Sequence, residues 1–423
     1  MFKLDEIPPL HIGMSGLDAD LSEDERAIQA VCHRFAEEVM RPTAEKLDKM
    51  TPEEVIAPGS PLYTYAEQLQ KSGLFDLEAI GQMSAEEKAR ILPLMFEEFG
   101  WGDAGLTVFS LATAFPAFAA YNSGDPELIE TFGSRIGCWV ITQPERGSDM
   151  VDLDGQEIPA GCKQNKGNLI ARIDGDEVII NGQSSSWISG APVAQTAYVY
   201  VPCDSGDGLY KENGSLNYIS ILVDLEQDGV SKGKPLDKIG MRSLPQGEVF
   251  FDDVRVPMKN IIGSTDNVLI EIFGVLTFAN MEMGLTFTGL ARAAYEHALH
   301  YCHERVQGGV PIIEHQSVKL RLFELWQKVE TARATARRVA TFNYLSEQPH
   351  VIASITSKSY VTQTAFEVAS EAIQLLGGNG LTKEYPVEKL MRDASASKIC
   401  DGENTVLKLK AAGLLSDWYK DNH

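Results

Sequence analysis

The sequence lacks the features that mark a secreted, zinc-binding or membrane-spanning chain. Its six cysteines include no C-x-x-C pair, a pattern typical of reduced packing residues rather than of disulfides or zinc ligands. The first residues, MFKLDEIPPLHIG, have neither the charged start nor the apolar centre of a signal peptide. No uninterrupted apolar run approaches the ~20 residues that a membrane span needs. We therefore expect a cytoplasmic protein that is not embedded in a membrane.

Positive charge is also scarce. There are 37 lysines and arginines against 60 aspartates and glutamates, so the net charge is -23. Nucleic acids and anionic membranes would repel such a chain at long range, which argues against either as the main partner. The length of 423 residues with 44% hydrophobic content predicts two or three domains with a large core.

Three common catalytic patterns are missing. No G-x-G-x-x-G follows a first predicted strand, which argues against a Rossmann nicotinamide site, and no G-x-S-x-G indicates a serine hydrolase. His297, His300 and His303 follow each other at steps of three, whereas metal-binding helical pairs usually lie at i and i+4. We predict no metal site.

Hydrophobic periodicity divides the chain into three parts. The apolar residues of 1–135 have helical spacing. Ser22 is followed by acidic residues in the first turn of a predicted helix, which marks it as the N-cap. Residues 136–263 alternate and turn at Asp174-Gly175, which predicts an antiparallel β domain. Helical spacing returns over residues 264–423. The expected order is helical domain, β domain, helical domain.

A glycine turn and a lone carboxylate lie between helical runs near the end of the chain. Asp401 follows the apolar pair Ile399-Cys400 and precedes Gly402. This pattern predicts a helix break at which a side chain can face a cleft. Asp401 is either a functional carboxylate or a plain capping acid.

Five separated blocks, in order, resemble the acyl-CoA dehydrogenase family over nearly the whole chain. They are WVITQPERGSDM, INGQSSSWISG, DKIGMRSLPQGEVFFDDVRVPMKNIIG, HERVQGGVPIIEHQ and AIQLLGGNGLTKEYPVEKLMRDASASKICDGENTVLKLKAA. The resemblance implies an α+β fold with an N-terminal helical domain, a central antiparallel β domain and a C-terminal four-helix bundle. It also implies a homotetramer, because the cofactor site of the family is shared between subunits.

The resemblance implies FAD as cofactor. FAD needs apolar walls for its ring and hydrogen-bond donors for its pyrophosphate. Without the family blocks, Trp187 reads as a core or interface residue, Arg305 as a surface ion pair and Gly377-Gly378 as a helix C-cap. The matched cofactor positions are Trp139, Ile141, Thr142, Ser148, Trp187, Ser189, Arg305, Gln307, His315, Gln316, Gln374, Gly377, Gly378, Glu403 and Thr405.

The chemistry that the resemblance implies is α,β-dehydrogenation of an acyl-CoA thioester. The α hydrogen is weakly acidic, so its removal requires a positioned carboxylate, and Asp401 is the candidate base. The family usually carries Glu-Gly-Thr where this chain has Asp401-Gly402-Glu403. Aspartate reaches roughly 1.5 Å less far than glutamate. We therefore expect the substrate to sit differently or the carboxylate to act from another angle.

A second carboxylate is the alternative base. In some members the base lies at the position of Ala279, and Glu282 follows one helical turn later. Glu282 reads otherwise as a solvated or structural acid. The resemblance places the substrate against Ser148, Ala279, Asn280 and Gly402.

Further departures indicate a bulky, cyclic or functionalised acyl group. Gly308 replaces the usual Phe, and Glu145-Arg146 replace Gly-Ala in the substrate loop. We expect Arg146 on an exposed loop. Three functions stay open: a dehydrogenase passing electrons to an electron-transfer flavoprotein, a relative that performs oxidase or elimination chemistry, or a non-catalytic subunit of a mixed tetramer.

Overall fold

The computed structural model describes residues 14–152, 166–212, 214–264 and 267–423. The helical prediction for the N-terminal part is confirmed, and Ser22 caps the first helix with a capping box. A π-helical segment, Ala36–Met40, joins the first two helices. The helices are α1 Glu23–Phe35, α2 Arg41–Lys49, α3 Pro52–Ile56, α4 Pro61–Ser72, α5 Leu77–Gln82, α6 Ala85–Gly102, α7 Ala104–Ser123 and α8 Pro126–Phe132.

The middle of the chain forms a mostly antiparallel sheet. The strands are β1 Gly137–Val140, β2 Ile170–Asp174, β3 Glu177–Gln183, β4 Ile188–Ser189, β5 Thr196–Asp204, β6 Tyr218–Asp224, β7 Val230–Lys232, β8 Gln246–Gly247, β9 Val249–Pro257 and β10 Ile261–Gly263. The order in the sheet is β10-β6-β5-β2-β3-β9-β7, with β1 also paired to β5, whereas β4 and β8 pair with each other separately. The predicted Asp174-Gly175 turn joins β2 to β3, and Gly175 takes φ 69° there. The sheet differs from a purely antiparallel one, because β1 and β2 run parallel to β5.

Long helices build the C-terminal part. Its elements are α9 Val268–Glu304, β11 Val306–Gln307, β12 Val310–Pro311, α10 Gln316–Leu345, α11 Val351–Leu376, α12 Val387–Ser397 and α13 Asn404–Asn422. The 37-residue α9 packs against α6, α10 and α11, and its backbone approaches α6 closely at two glycines. A Cβ atom at Gly289 would lie 1.9 Å from Glu97 O, and one at Gly100 would lie 1.8 Å from Thr286 O.

Two of the described helices are long and apolar enough to cross a membrane by composition alone. They are Ala104–Ser123 and the stretch Ile270–Glu304 of α9. In the most apolar segment of each helix, 67% of the first and 61% of the second is buried inside the protein. Packing in the core accounts for this composition. The cysteines follow the same rule, because Cys32, Cys138, Cys203 and Cys302 are free and buried, whereas Cys162 lies outside the described residues.

A buried ion network joins α6 to α9 and α10. We call it the Glu97-Glu98 cluster. Arg292 donates to Glu97 at 3.0 Å and to Glu98 at 2.9 Å. Arg333 and Arg337 donate to Glu97 at 2.8 and 3.0 Å. The two carboxylates and the guanidinium groups of Arg292 and Arg333 are almost completely buried, so the cluster fixes the N-terminal helices against the C-terminal ones.

Candidate active site at the turn between α12 and α13

The helix break predicted at Asp401 is present. Asp401 and Gly402 lie between α12 and α13 with φ 53° and 98°, both in the left-handed region. A Cβ atom at position 402 would lie 2.8 Å from Leu407 Cδ2 and 3.1 Å from Val151 Cγ1. Both the backbone and the space around it therefore require glycine after Asp401.

The Asp401 carboxylate is free to meet a ligand. Its side chain is half-buried, and within the described residues no hydrogen bond reaches its oxygens. Burial raises the pKa of Asp401, and the nearby Lys358 opposes that rise. An unpaired carboxylate beside a cation has the properties of a general base.

The structure brings Glu282 close to Asp401. Burial and the Asp401 carboxylate raise the pKa of Glu282 to about 8. Glu282 is therefore mostly protonated at neutral pH, where it is a hydrogen-bond donor rather than a base. Asn280, on the same helix, donates to Asp401 O at 3.3 Å, and its own Oδ1 is buried without a partner among the described residues. Ala279 is buried beside it.

The substrate loop touches the same turn. Ser148 begins a short 3-10 helix, Ser148–Asp152, and its Oγ accepts a hydrogen bond from Glu403 N at 3.0 Å. The Glu403 carboxylate caps α13 by accepting from Thr405 N at 2.8 Å and Val406 N at 3.2 Å. Glu403 thus serves as the N-cap of this helix, with its negative charge at the favourable end.

The expectation of an exposed Arg146 is wrong. Its side chain is buried and donates to Asp149 at 3.2 Å and to the Tyr218 hydroxyl. Reciprocal backbone hydrogen bonds between Gln143 and Arg146, at 2.8 and 3.0 Å, fold the loop back onto the sheet. The turn carries the guanidinium inside, where the Asp149 carboxylate compensates its charge and the Tyr218 hydroxyl accepts a hydrogen bond.

Residues predicted to border the flavin ring form one connected group. Thr142 Oγ1 lies 2.6 Å from Ser185 Oγ, which accepts from Trp187 N at 3.2 Å. Gln246 donates to Trp187 O and to Ser189 Oγ, both at 3.1 Å. The Trp187 side chain is 62% exposed. Such an exposed aromatic surface, directly before the hydrogen-bonded strand β4, fits a planar ring.

Trp139 and Ile141 belong to one hydrophobic cluster. The Trp139 ring stacks on Phe115 at a centroid distance of 4.7 Å and meets Tyr200 edge-on. Its Nε1 is buried without a partner within the described residues. Ile141 is half-buried against the same cluster. The Trp139 indole is thus part of the core. A ligand at this strand would therefore meet mainly backbone atoms.

The residues predicted for the FAD diphosphate and adenine form a second group. Asn379, which follows Gly378, donates to the Tyr301 hydroxyl at 3.0 Å, one turn before the end of α9. A Cβ atom at Gly377 or Gly378 would meet nothing within 4 Å. The exposed members of this group are Arg305, Gln307, His315, Gln316, Gln374, Gly377 and Gly378.

This second group fits an anionic ligand. Arg305 forms no ion pair within the part of the chain that the structure describes. Open backbone at a glycine pair and an unpaired guanidinium suit a diphosphate. His315 Nε2 lies 3.1 Å from Gln307 O, which holds the β11–β12 hairpin against the start of α10. The residues present therefore fit the flavin nucleotide that the family blocks imply.

Two supporting residues were not predicted from the sequence. Lys358 donates from α11 to Gly402 O at 2.7 Å, and Lys238 donates to Gln246 Oε1 at 2.8 Å. The sequence does contain a signal for Lys358, since a lysine within the apolar and small-residue run of α11 is unusual. It contains no signal for Lys238, because this lysine lies in a polar loop.

Comparison with protein families gives two matches. Residues 138–254 match the model of the acyl-CoA dehydrogenase middle domain. Residues 273–413 match the model of the acyl-CoA dehydrogenase C-terminal domain. Together the two models cover most of the sheet and most of the C-terminal helices.

Curated relatives match over most of their length. A probable acyl-CoA dehydrogenase, YngJ, of Bacillus subtilis is 28% identical and covers 94% of this chain and 99% of the relative. A cyclohex-1-ene-1-carbonyl-CoA dehydrogenase of Syntrophus aciditrophicus is 26% identical over 75% and 73% of the two chains. A 3-(aryl)acrylate reductase of Clostridium sporogenes is 25% identical over 93% and 99%.

Solved structures share the fold. One described as an electron transferring flavoprotein of Acidaminococcus fermentans superposes with a TM-score of 0.79 at 25% identity, over 94% of this chain and 99% of that chain. A glutaryl-CoA dehydrogenase of Mycobacterium smegmatis in complex with FADH2 has a TM-score of 0.77 at 20% identity, over 95% and 97%. The predicted helix, sheet, helix architecture is confirmed.

Proposed function

Because the chain belongs to the acyl-CoA dehydrogenase family of oxidoreductases, we propose that it removes the α and β hydrogens of an acyl-CoA thioester with Asp401 as the base. The observation that carries this proposal is the unpaired Asp401 carboxylate at a turn that also contacts Ser148. Bound FAD would supply the acceptor for the β hydride.

The chain's own groups perform the proton step. Asp401 takes the α proton, and Lys358 favours the ionised carboxylate that this requires. The backbone N–H groups of Asp401 and Gly402 have no acceptor within the described residues, so they are available to the thioester carbonyl. Donors aimed at that oxygen stabilise the negative charge that develops there.

We propose a bulky, cyclic or functionalised acyl group. The shorter reach of Asp401 calls for an acyl chain placed differently from that of the usual glutamate enzyme. A protonated Glu282 adds a donor to the same cleft. Two relatives carry names that refer to a cyclohexene carbonyl and to aryl acrylates, which supports a ring-bearing substrate. An electron-transfer flavoprotein is the proposed electron acceptor.

A panel of CoA esters tests the proposed function. The purified protein is mixed without oxygen with straight-chain, cyclic and aryl acyl-CoA esters, and bleaching of the flavin absorbance is recorded. We expect bleaching by at least one ring-bearing ester and slow reoxidation by air. No bleaching by any ester would contradict a dehydrogenase, and fast reoxidation by air would indicate an oxidase.

Arg305→Ala is expected to weaken FAD binding about tenfold or more, because it removes a charge-assisted contact to the diphosphate. The measurement is the dissociation constant of FAD for the reconstituted apoprotein, read from flavin fluorescence. Arg26→Ala is the matched control, since Arg26 is an exposed arginine on α1 outside both cofactor groups. Equal FAD affinity in the two variants would count against a role for Arg305.

We propose a homotetramer in which subunits share each FAD. Large apolar side chains lie exposed on the C-terminal helices and after α11, among them Phe323, Leu381 and Trp418, and such surface is typical of an interface. Light scattering is expected to give four times the 46.4 kDa mass of the chain. A monodisperse monomer that retains FAD would contradict this assembly.

A further inference from the structure

A buried lysine lies beside the turn that carries Asp401. The Lys358 side chain on α11 is fully buried. Its Nζ donates to Gly402 O at 2.7 Å and to Asn404 Oδ1 at 2.8 Å. No carboxylate of the described residues forms an ion pair with it. A buried ammonium is costly unless it is compensated, and these two oxygens of the turn are its compensation.

The surrounding hydrogen bonds hold this arrangement in one geometry. Asn404 Nδ2 donates to Thr362 Oγ1 at 3.0 Å, which leaves Asn404 Oδ1 facing Lys358. Thr362 Oγ1 donates to Lys358 O at 2.7 Å. The end of the turn is therefore tied to two successive turns of α11.

The backbone at Asp401 needs such support. Residues other than glycine seldom adopt positive φ, and Asp401 has φ 53°. Gly402 O belongs to the peptide directly after this pair, so a donor fixed at 2.7 Å sets how that peptide is rotated. The direction of the Asp401 side chain follows from the same turn.

We propose that Lys358 is a positioning residue for Asp401: it fixes the turn through Gly402 O and Asn404 Oδ1 and places a buried cation at the turn that carries the carboxylate. The inference rests on the proposed function, because it takes Asp401 as the base.

The charges around the turn support this role. Burial lowers the pKa of Lys358 to about 8 although Cys400, Asp401 and Glu403 raise it, so Lys358 is still mostly charged at pH 7. The groups that face this lysine or the turn are Glu282 from α9, Cys400, Asp401 and Glu403 from the turn itself, Lys408 from α13 and Lys238 from the β domain. Lys358 is the cation that acts on Asp401.

Lys358→Gln tests the inference, since the amide keeps a donor but loses the charge. Two readouts follow Asp401: the pH midpoint of flavin reduction by an active CoA ester, and an infrared titration of the carboxyl band that Asp401→Asn removes. Both midpoints are expected to rise by about one pH unit, a tenfold change in proton affinity. Lys232→Gln is the control, because Lys232 also donates to a backbone oxygen, that of Ala194, but lies in the β domain, and neither midpoint is expected to move.

Unchanged midpoints in Lys358→Gln would overturn the inference while the proposed function stands. A wild-type reduction rate in Asp401→Asn would instead refute the proposed function. If Lys358→Gln does not fold, Asn404→Asp decides, because it keeps the lysine and places a carboxylate against its ammonium. Asn404→Asp is then expected to raise the infrared midpoint of Asp401, and an unchanged midpoint would overturn the inference.

Discussion

Asp401→Asn is expected to lower the rate of flavin reduction by roughly 100-fold or more, the scale of a lost general base. Asparagine is nearly isosteric, but its amide does not accept the α proton at neutral pH. The variant should keep its yellow colour and bind the thioester as before, because no other contact of the turn depends on this carboxylate. Anaerobic stopped-flow absorbance measures the rate, and an ester titration measures binding.

Two further variants show which carboxyl group acts. Glu282→Gln is expected to be the milder change, because Glu282 already holds its proton near neutral pH. Asp401→Glu restores the residue usual in the family and adds a methylene. Its activity is expected to fall on the native ester and to rise on short straight-chain esters. Loss of reduction in Glu282→Gln with a normal Asp401→Asn would move the base to α9.

Arg292→Met is expected to lower the free energy of unfolding by about 3 to 5 kcal/mol, because it leaves part of the Glu97-Glu98 cluster buried without its cation. Arg292 is 3% exposed and contacts both carboxylates. Chemical denaturation at pH 7 gives the value. Arg255→Met is the control, since its ion pair with Glu177 at 2.7 Å is exposed and should contribute about 1 kcal/mol or less.

The Glu97-Glu98 cluster is also expected to make the free energy of unfolding depend on pH. Burial alone would raise the pKa of Glu98, but Arg292 and His33 lower it to about 2, below the value of about 4.3 of an unfolded chain. The stabilisation is therefore complete above about pH 4.3 and is lost as the pH falls toward 2. In Arg292→Met the free energy of unfolding should change less with pH over this acid range. An equally steep acid transition in Arg292→Met would contradict the assignment.

Local signals predicted much of the fold. The acids after Ser22 identified its capping box, and Asp174-Gly175 identified a tight turn, because both features depend on residues a few positions apart. The helix break at Asp401 was readable for the same reason. Pairings between distant segments had no such signal. Arg146 reads as a loop residue until the fold places Tyr218 against it.

The supporting contacts of the site were hidden for the same physical reason. Lys358 and Gly402 are 44 positions apart in the chain, and Arg292 and Glu98 are 194 apart. Sequence patterns record which face of a helix is apolar, but they do not record which distant oxygen a buried cation will meet. The family blocks supplied candidate positions, and the electrostatic link between Glu282 and Asp401 came only from the structure.

Exchange of the α hydrogen tests the central claim most directly. The enzyme is first reduced, so that the β hydride cannot leave, and an acyl-CoA ester that bleaches the oxidised protein is incubated with it in D2O. Mass spectrometry then follows deuterium at the α carbon. We predict exchange in the wild type and in Glu282→Gln, and at least about 100-fold slower exchange in Asp401→Asn. Exchange at the wild-type rate in Asp401→Asn would contradict Asp401 as the base.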